Sequence, residues 1–450
     1  MTFGTDGVRG LANAELTPEL VLALGRAAAR VLGEGPWVVG RDTRRSGPML
    51  QAALAAGLAS EGAGVVDLGV VPTPAVAHAA ASRSLPGAVV SASHNPFPDN
   101  GVKFFAPGGH KLPDDVEDRL EAELRALLAP AGSAPGADGG EPKVAAAVGT
   151  ISTDATAVDA YAAHVLAVLA DRTLAGARVV LDCANGSASA IAGEVFRRAG
   201  ANVTVLHAQP DGTNINHGSG STHPQALQDA VRATPGAVVG LAFDGDADRV
   251  LAVAPNGDLV DGDHILALAA VDLRDRGLLA NDTLVVTVMS NLGLRLAMAD
   301  AGIDVVETKV GDRYVLEALE AGGFSLGGEQ SGHVIFRDLA TTGDGLLTGL
   351  LLADLVVRRG EPLDAMAAAA MTRLPQVLEN VRVRDRDAVA TAEEVMAAVA
   401  KVERELGDHG RVVLRPSGTE PLVRVMVEAP TAEQAERAAD RLAGAVAALG

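Results

Sequence analysis

The chain has 450 residues, 37 basic against 57 acidic for a net charge of -20, with 48% hydrophobic residues, 2% aromatic ones and one cysteine. This excess of negative charge argues against nucleic acid or an anionic membrane as the main partner, while the lone Cys183 excludes a disulfide framework and a cysteine metal site. A soluble cytoplasmic protein is expected, because the sequence carries no signal-like opening and no clean run of about 20 apolar residues.

After an opening loop from Phe3 to Gly10, helical periodicity runs from Thr17 to Leu32, with Thr17 as cap and Pro18 at the first helical position. Trp37 to Gly40 reads as a strand with Arg41-Asp42-Thr43-Arg44 as its polar exit, and Met49 to Ser60 as a helix. Val65 to Leu68 is a second strand, and the helix Pro74 to Ser82 leads into a third that ends at Val90. Strands alternating with helices predict βαβ units and a mostly parallel sheet. The grammar returns twice, in Val179 to Asp182 with Val203 to Leu206, and in Val285 to Val288 with Asp304 to Glu307. Each copy leads through a further helix and strand to a polar loop. These loops are Ser91-Ala92-Ser93-His94-Asn95-Pro96, Asp244-Gly245-Asp246-Ala247-Asp248-Arg249 and Gly327-Gly328-Glu329-Gln330-Ser331-Gly332-His333. Open α/β sheets place ligands at the carboxyl ends of their strands, so each copy is expected to offer its loop to one site.

Beyond Arg359-Gly360-Glu361-Pro362 the pattern changes to helix Leu363 to Ala370, strand Gln376 to Val383, helix Thr391 to Glu405, strands Arg411 to Leu414 and Leu422 to Glu428, and helix Thr431 to Ala448. That is a small α+β unit presenting the loop Arg415-Pro416-Ser417-Gly418-Thr419-Glu420. Ala129 to Pro142 reads as an exposed hairpin or linker. The expected fold class is α/β: three related α/β domains with mixed, mostly parallel sheets plus a C-terminal α+β domain, around one central cleft. The expected limits are residues 1–143, 144–250, 251–365 and 366–450.

A serine hydroxyl needs help to act as a nucleophile, and His94 and Lys103 are the groups near Ser93 that could give it; an ordinary serine-rich turn is the plain alternative. Asp244, Asp246 and Asp248 suit a hard cation, magnesium being the cytosolic default, or form a solvated acidic turn. Neither a Gly-x-Ser-x-Gly elbow nor a Gly-x-x-x-x-Gly-Lys-Ser/Thr loop occurs, which disfavours hydrolase and nucleoside-triphosphatase readings. A serine beside a hard cation and an arginine suits a phosphoryl group, because metal and arginine neutralise the charge that develops on transfer. Arg415, Ser417, Gly418, Thr419 and Arg424 read as an anion cradle, and Glu329, Ser331 and His333 suit sugar hydroxyls or an amine. His207, His217 and His223 lack metal-ligand spacing.

Gly4-Thr5-Asp6-Gly7-Val8-Arg9-Gly10, Ser91 to Pro96 with Asp99-Asn100-Gly101-Val102-Lys103-Phe104-Phe105, Asp244 to Arg249, Gly328 to His333 and Arg415 to Pro421 together closely resemble the α-D-phosphohexomutase superfamily, over essentially the whole chain. Phe3 to Gly10, the Ser-Ala-Ser form of the serine loop and Gln330 resemble its bacterial branch acting on glucosamine phosphates. Phosphomannomutases and phosphoglucomutases, acting on hexose 1- and 6-phosphates, are the alternative. The resemblance implies an isomerase-class, Mg2+-dependent intramolecular phosphotransferase with Ser93 carried as phosphoserine and one Mg2+ held by that phosphate and by Asp244, Asp246 and Asp248. It places Arg9, Lys103, His94 and Arg249 around the phosphoserine, with Lys103 as general acid or base and His333 as a second candidate. Glu329 and Ser331 would hold sugar hydroxyls, Lys309 to Arg313 would orient the sugar, and Arg415, Ser417, Thr419 and Arg424 would clamp the distal phosphate. The implied reaction takes glucosamine 6-phosphate through the 1,6-bisphosphate to glucosamine 1-phosphate, for UDP-N-acetylglucosamine synthesis. A phosphorylated amino sugar is then the partner, without nucleic acid or membrane, and monomer or homodimer is left open.

Overall fold

A computed structural model describes residues 7–129, 143–417 and 420–450. Phe3 to Asp6, Pro130 to Pro142, Gly418 and Thr419 lie outside the described residues. The first sheet contains β1 (Val8–Leu11), β2 (Trp37–Arg41), β3 (Val65–Val70), β4 (Gly87–Val90), β5 (Asp99–Phe105) and β6 (Ile151–Thr153), in the order β1-β5-β4-β2-β3-β6. The second contains β7 (Arg178–Asp182), β8 (Asn202–Leu206), β9 (Ala237–Phe243), β10 (Val250–Val253) and β11 (Leu259–Val260), in the order β11-β10-β9-β7-β8. The third contains β12 (Thr283–Thr287), β13 (Asp304–Thr308), β14 (Leu326–Gly328) and β15 (Val334–Phe336), in the order β13-β12-β14-β15. β16 (Gln376–Arg382), β17 (Arg411–Pro416) and β18 (Leu422–Glu428) form the antiparallel C-terminal sheet, with β18 in the middle.

Helices follow the expected alternation. In the first unit they are α1 (Pro18–Leu32), α2 (Gly47–Ser60), α3 (Thr73–Arg83) and α4 (Asp114–Leu128). The second has α5 (Ala157–Ala167), α6 (Ala192–Arg198) and α7 (Gln225–Arg232), and the third α8 (Gly262–Asp275), α9 (Leu292–Asp300), α10 (Asp312–Gly322), α11 (Gly345–Arg359) and α12 (Leu363–Ala370). The C-terminal unit adds α13 (Arg386–Ala390), α14 (Glu393–Leu406) and α15 (Ala432–Ala447). Thr17 Oγ1 accepts from Leu20 N at 3.3 Å and Pro18 occupies the first turn, so α1 starts where its cap dictates. Gly25 and Gly57 let α1 and α2 cross closely, since a Cβ on either would lie 2.4 Å from Leu54 O or 2.2 Å from Leu22 O.

One topological pattern recurs. The segments β5-β4-β2-β3, β10-β9-β7-β8 and β15-β14-β12-β13 have the same order, and in each the loop-bearing strand is followed by an antiparallel return. The three polar loops are therefore hairpin connections at the carboxyl ends of β4, β9 and β14. This moves two expected limits. Arg249 does not end the second sheet, because β10 pairs back on β9 and the sheet runs on to Val260. β6 lies beyond residue 143 yet extends the first sheet by parallel pairing with β3. Val8 to Gly10, expected as loop, belong to β1, whose antiparallel pairing with β5 buries Val8.

A single hydrophobic cluster runs from Val38, Val76 and Val89 through Leu181 and Leu241 to Leu284, Leu326 and Leu350, uniting the three α/β units. Their loops are thus fixed relative to one another. The C-terminal unit has its own core around Val395, Val425 and Leu442. It docks through Glu428, whose carboxylate accepts from Leu292 N at 2.8 Å and from Asn291 Nδ2 at 3.1 Å, and which is ion-paired with Arg411 at 2.7 Å.

Candidate active site

Ser93 follows the buried strand β4 with φ of +50° and is 1% exposed. Its Oγ donates to Asp244 Oδ2 at 2.6 Å, so the first and second hairpin loops meet directly. His94 Nδ1 stands 3.4 Å from Ser93 Oγ and 3.4 Å from Arg249 Nη1. Burial, with Arg249 and Arg9 beside it, brings the His94 pKa down to about 4, so its ring is neutral at pH 7. Arg9 reaches this corner from β1, opposite Gly101 of β5.

Asp244 and Asp246 have no exposure and Asp248 has 4%, and each offers an oxygen within 4.8 Å of the others. Asp246 Oδ1 and Asp248 Oδ1 are buried with no hydrogen-bond partner. Buried carboxylate oxygens without hydrogen bonds, that of Asp248 having only Arg249 Nε at 3.8 Å, fit a hard cation with oxygen preference, and a solvated acidic turn is excluded by the burial. Lys103, on β5, gives Nζ to Asp246 Oδ2 at 3.0 Å and to Asp248 Oδ2 at 3.3 Å. Burial followed by the charges of Asp248 and Asp246 pushes the Asp244 carboxyl well above its usual range. For Asp248, burial acts upward but Lys103, His333 and Arg249 outweigh it and hold the carboxyl well below.

The third loop meets the same cluster. His333 is 1% exposed, with Nδ1 3.8 Å from Asp248 Oδ2 and Nε2 3.3 Å from Asp312 Oδ2. Its burial favours the neutral ring, yet Asp312 and Asp248 prevail and raise its pKa. His333 thus joins the carboxylate cluster through Asp248, the residue that also accepts from Lys103. Glu329 is oriented by Gly311 N at 3.1 Å and Ser331 Oγ at 3.2 Å, and both side chains are partly exposed. Lys309 is exposed, its Nζ 5.9 Å from the Tyr314 ring centroid. Arg313 departs from its expected sugar contact: it is 5% exposed and ion-paired with Asp114 and Glu117 of α4, so it ties the third unit to the first.

In the C-terminal unit Arg415 and Arg424 face each other as direct partners of β17 and β18. Ser417 is buried and its Oγ accepts from Glu420 N at 3.3 Å.

Phosphoglucomutase/phosphomannomutase models match the alpha/beta/alpha domains I, II and III at residues 1–129, 159–257 and 261–374, and the C-terminal domain at 378–445. The chain belongs to this family. Phosphoglucosamine mutase of Frankia alni is 57% identical over 99% of this chain and 98% of its own length. A phosphoglucomutase/phosphomannomutase family protein from Burkholderia thailandensis superposes with a TM-score of 0.80 at 26% identity, covering 99% of this chain and 97% of its own. The N-acetylphosphoglucosamine mutase of Aspergillus fumigatus, in complex with GlcNAc-6P and magnesium, shares the fold with a TM-score of 0.69 at 20% identity over 100% of this chain and 96% of its own.

This member of the phosphoglucomutase/phosphomannomutase family is a mutase of the isomerase class, and among its described residues no helix is long and apolar enough to cross a membrane. Sequence reasoning missed several residues that hold the family loops together. Arg44, in the exit loop of β2, donates to the carbonyls of Ser93 at 2.9 Å, Asn95 at 2.7 Å and Asp99 at 3.0 Å, and also to that of Pro96. Thr73, at the start of α3, donates Oγ1 to Asp246 Oδ2 at 2.7 Å and N to Asp246 O at 2.9 Å. Asn216 reaches the serine loop from the second unit. The available signal was the position of Arg41 to Arg44, at the carboxyl end of a strand adjacent to β4.

Proposed function

We propose that the protein interconverts glucosamine 6-phosphate and glucosamine 1-phosphate, with Ser93 carrying the transferable phosphoryl group and the 1,6-bisphosphate as intermediate. The observation that carries this reading is the contact of Ser93 Oγ with Asp244 at 2.6 Å, inside a buried carboxylate set that also holds Lys103. Asp244, Asp246, Asp248 and the Ser93 phosphate would hold a Mg2+, which supplies neutralisation of the charge on the transferring group. Magnesium accompanies the sugar phosphate in the Aspergillus protein, and the oxygen-only donor set suits it here.

In the forward direction the P–O bond to Ser93 breaks as one forms to O1 of glucosamine 6-phosphate. The Lys103 ammonium gives a proton to the departing Ser93 Oγ and takes the proton of that hydroxyl in its place, and in the second half-reaction it relays the Ser93 Oγ proton to O6 in the same way. After reorientation of the bisphosphate, the O6 phosphoryl moves to Ser93 and glucosamine 1-phosphate leaves. Arg9 and Arg249 flank the phosphoserine with positive charge, and neutral His94 lies within reach of Oγ. Glu329 and Ser331 take the sugar hydroxyls and the 2-ammonium, with Lys309 at the rim. Arg415, Ser417, Gly418, Thr419 and Arg424 grip the distal phosphate in either orientation. A cleft closed over the bisphosphate excludes the water that would turn a mutase into a phosphatase. A cytoplasmic setting accords with the unpaired, buried Cys183.

The amino-sugar substrate rests on the 57% identity to the Frankia phosphoglucosamine mutase and on Glu329, a carboxylate able to pair with an ammonium. Steady-state comparison of glucosamine 6-phosphate, glucose 1-phosphate and mannose 1-phosphate tests it. The expected kcat/KM advantage for the amino sugar is at least about tenfold, equivalent to about 1.4 kcal/mol. Glu329→Gln should narrow that ratio, because the hydroxyl bond survives and the charge attraction does not. Equal or better kcat/KM on glucose or mannose phosphates would favour the hexose-phosphate alternative.

A further inference from the structure

We propose that Arg44 and Asn216 are positioning residues for the reaction at Ser93, fixing the serine loop through its backbone so that Oγ stays against Asp244 in both halves of the catalytic cycle. The proposal rests on the reading of Ser93 as phosphoryl carrier.

The φ of +50° at Ser93 is a left-handed conformation, which costs a non-glycine residue about 1–3 kcal/mol and persists only where the surroundings over-determine it. Those surroundings are specific. Arg44 has no side-chain exposure and supplies donors to the carbonyls of Ser93, Asn95, Pro96 and Asp99, gathering the whole turn around one guanidinium. Asn216 Nδ2, from the second unit, donates to the same Ser93 carbonyl at 2.8 Å and to that of Asn95 at 3.1 Å. Gly245 permits this close approach, since a Cβ there would lie 2.6 Å from Ser93 O. On the amide side, Ser93 N donates to Ser91 Oγ at 3.0 Å, Ser91 Oγ donates to Asp42 Oδ2 at 2.7 Å, and Asp42 is ion-paired with Arg44 at 2.9 Å.

These bonds form a closed circuit around the peptide groups of Ser93. Asp42 balances the charge of Arg44, and the guanidinium is spent on carbonyls. Its role is therefore geometric, unlike that of Arg9 or Arg249. The residue must be arginine because a planar fork of five N–H donors can serve several carbonyls and a carboxylate together, whereas lysine offers three donors from one point. Asn216 adds the second domain to the grip, so the distance from Ser93 to Asp244 depends on both units. A displacement of about 1 Å at a reacting atom can cost on the order of 100-fold in rate.

The test measures Arg44→Lys and Asn216→Ala in the full-length enzyme with glucosamine 6-phosphate, scaling kcat to Ser93 phosphate occupancy from peptide mass mapping. A fall in kcat of about 10- to 100-fold is expected for both, with KM within about twofold of the unmodified enzyme. The 31P resonance of the phosphoserine should shift, which a merely stabilising contact would not cause. Should Arg44→Lys fold poorly, Asn216→Gly decides the matter alongside Asn216→Ala, because it removes the two Nδ2 bonds, adds no charge and suits the φ of +58° at that position. Asn216→Ala that folds, carries phosphate on Ser93 and keeps its kcat overturns this proposal alone. Absence of phosphate from Ser93 in active unmodified enzyme overturns the carrier reading and this proposal with it.

Discussion

Glu428 offers a sharp test of how the C-terminal unit is held. It has no exposure, and its carboxylate meets Arg411 Nε at 2.7 Å, Leu292 N at 2.8 Å and Asn291 Nδ2 at 3.1 Å. Leu292 N belongs to the first turn of α9, where a carboxylate also meets the positive end of the helix dipole. Glu428→Ala removes one member of a buried pair, a change that costs about 3–5 kcal/mol when the remaining charge is stranded. Arg411 keeps 12% side-chain exposure and has Glu307 at 3.6 Å, so partial rescue puts the expectation at the lower end. Glu428→Gln retains the shape and loses charge-assisted bonding, for about 1.5–3 kcal/mol. The assay is native-state hydrogen exchange along β16 to β18 and urea unfolding, with Glu428→Ala, Arg411→Ala and the double variant closing a mutant cycle. Exchange in the C-terminal sheet should accelerate first, because its core is separate from the cluster that unites the other three units. A loss below about 0.5 kcal/mol, typical of an inconsequential surface change, with unaltered exchange in that sheet, would refute the latch.

Ser93→Ala should abolish nearly all turnover and the phosphopeptide, leaving the melting temperature close to that of unmodified enzyme; phosphate mapped to Ser91 with Ser93→Ala active would contradict the assignment. Exhaustive chelation should stop turnover and magnesium restore it, while Asp246→Asn should remain inactive at any magnesium concentration; activity that survives chelation would remove the metal role. Arg424→Ala should impair forward and reverse reactions alike by roughly 10- to 100-fold, the equivalent of one charged hydrogen bond of about 1.5–3 kcal/mol, and an effect on one direction alone would show that the cradle serves a single orientation. Burial, with His164 and Arg83 nearby, brings His78 down to about 4 from an ordinary 6.5. The unfolded chain then binds more protons between these values, so His78 withdraws stability as pH falls from 6.5 to 4. His78→Gln should accordingly lose less melting temperature between pH 7 and pH 5, and an identical pH profile would exclude this contribution.

The alternation of helices and strands was legible because cores made of Ala, Val and Leu leave clear periodic runs, as in Thr17 to Leu32, which forms α1 with its expected cap. The antiparallel returns were not legible. β10 and β15 are apolar runs after polar loops, and nothing in their periodicity distinguishes a return beside the preceding strand from a crossover, while β5 opens on Asp99-Asn100-Gly101 and carries Lys103 among its apolar residues. The strand at Val8–Leu11 was hidden by flanking glycines and by its place at the sheet edge, where one pairing partner suffices. The convergence of Ser93 and Asp244 followed from loop position at strand ends, and Lys103 joins them from within β5, which returns beside the serine strand. Their supports did not, because Arg44 and Asn216 reach Ser93 across 49 and 123 residues of sequence through backbone carbonyls, which leave no trace in residue type. Arg313 shows the opposite error, a conspicuous basic residue near the sugar loop that the fold spends on α4.

The facing pair Arg415 and Arg424 has a thermodynamic consequence for the protein without substrate. Like charges directly opposite on neighbouring strands destabilise a sheet, burial together with Arg424 already lowers the pKa of Arg415, and the half-exposed Glu420, 3.8 Å from Arg424 Nη2, offsets only part of that repulsion. An anion between them converts that repulsion into attraction, so part of the affinity for a phosphate is tension released from the folded chain. Neutralising either arginine should make the free enzyme more heat-resistant as it weakens substrate capture, a trade of activity against stability set inside one strand pair.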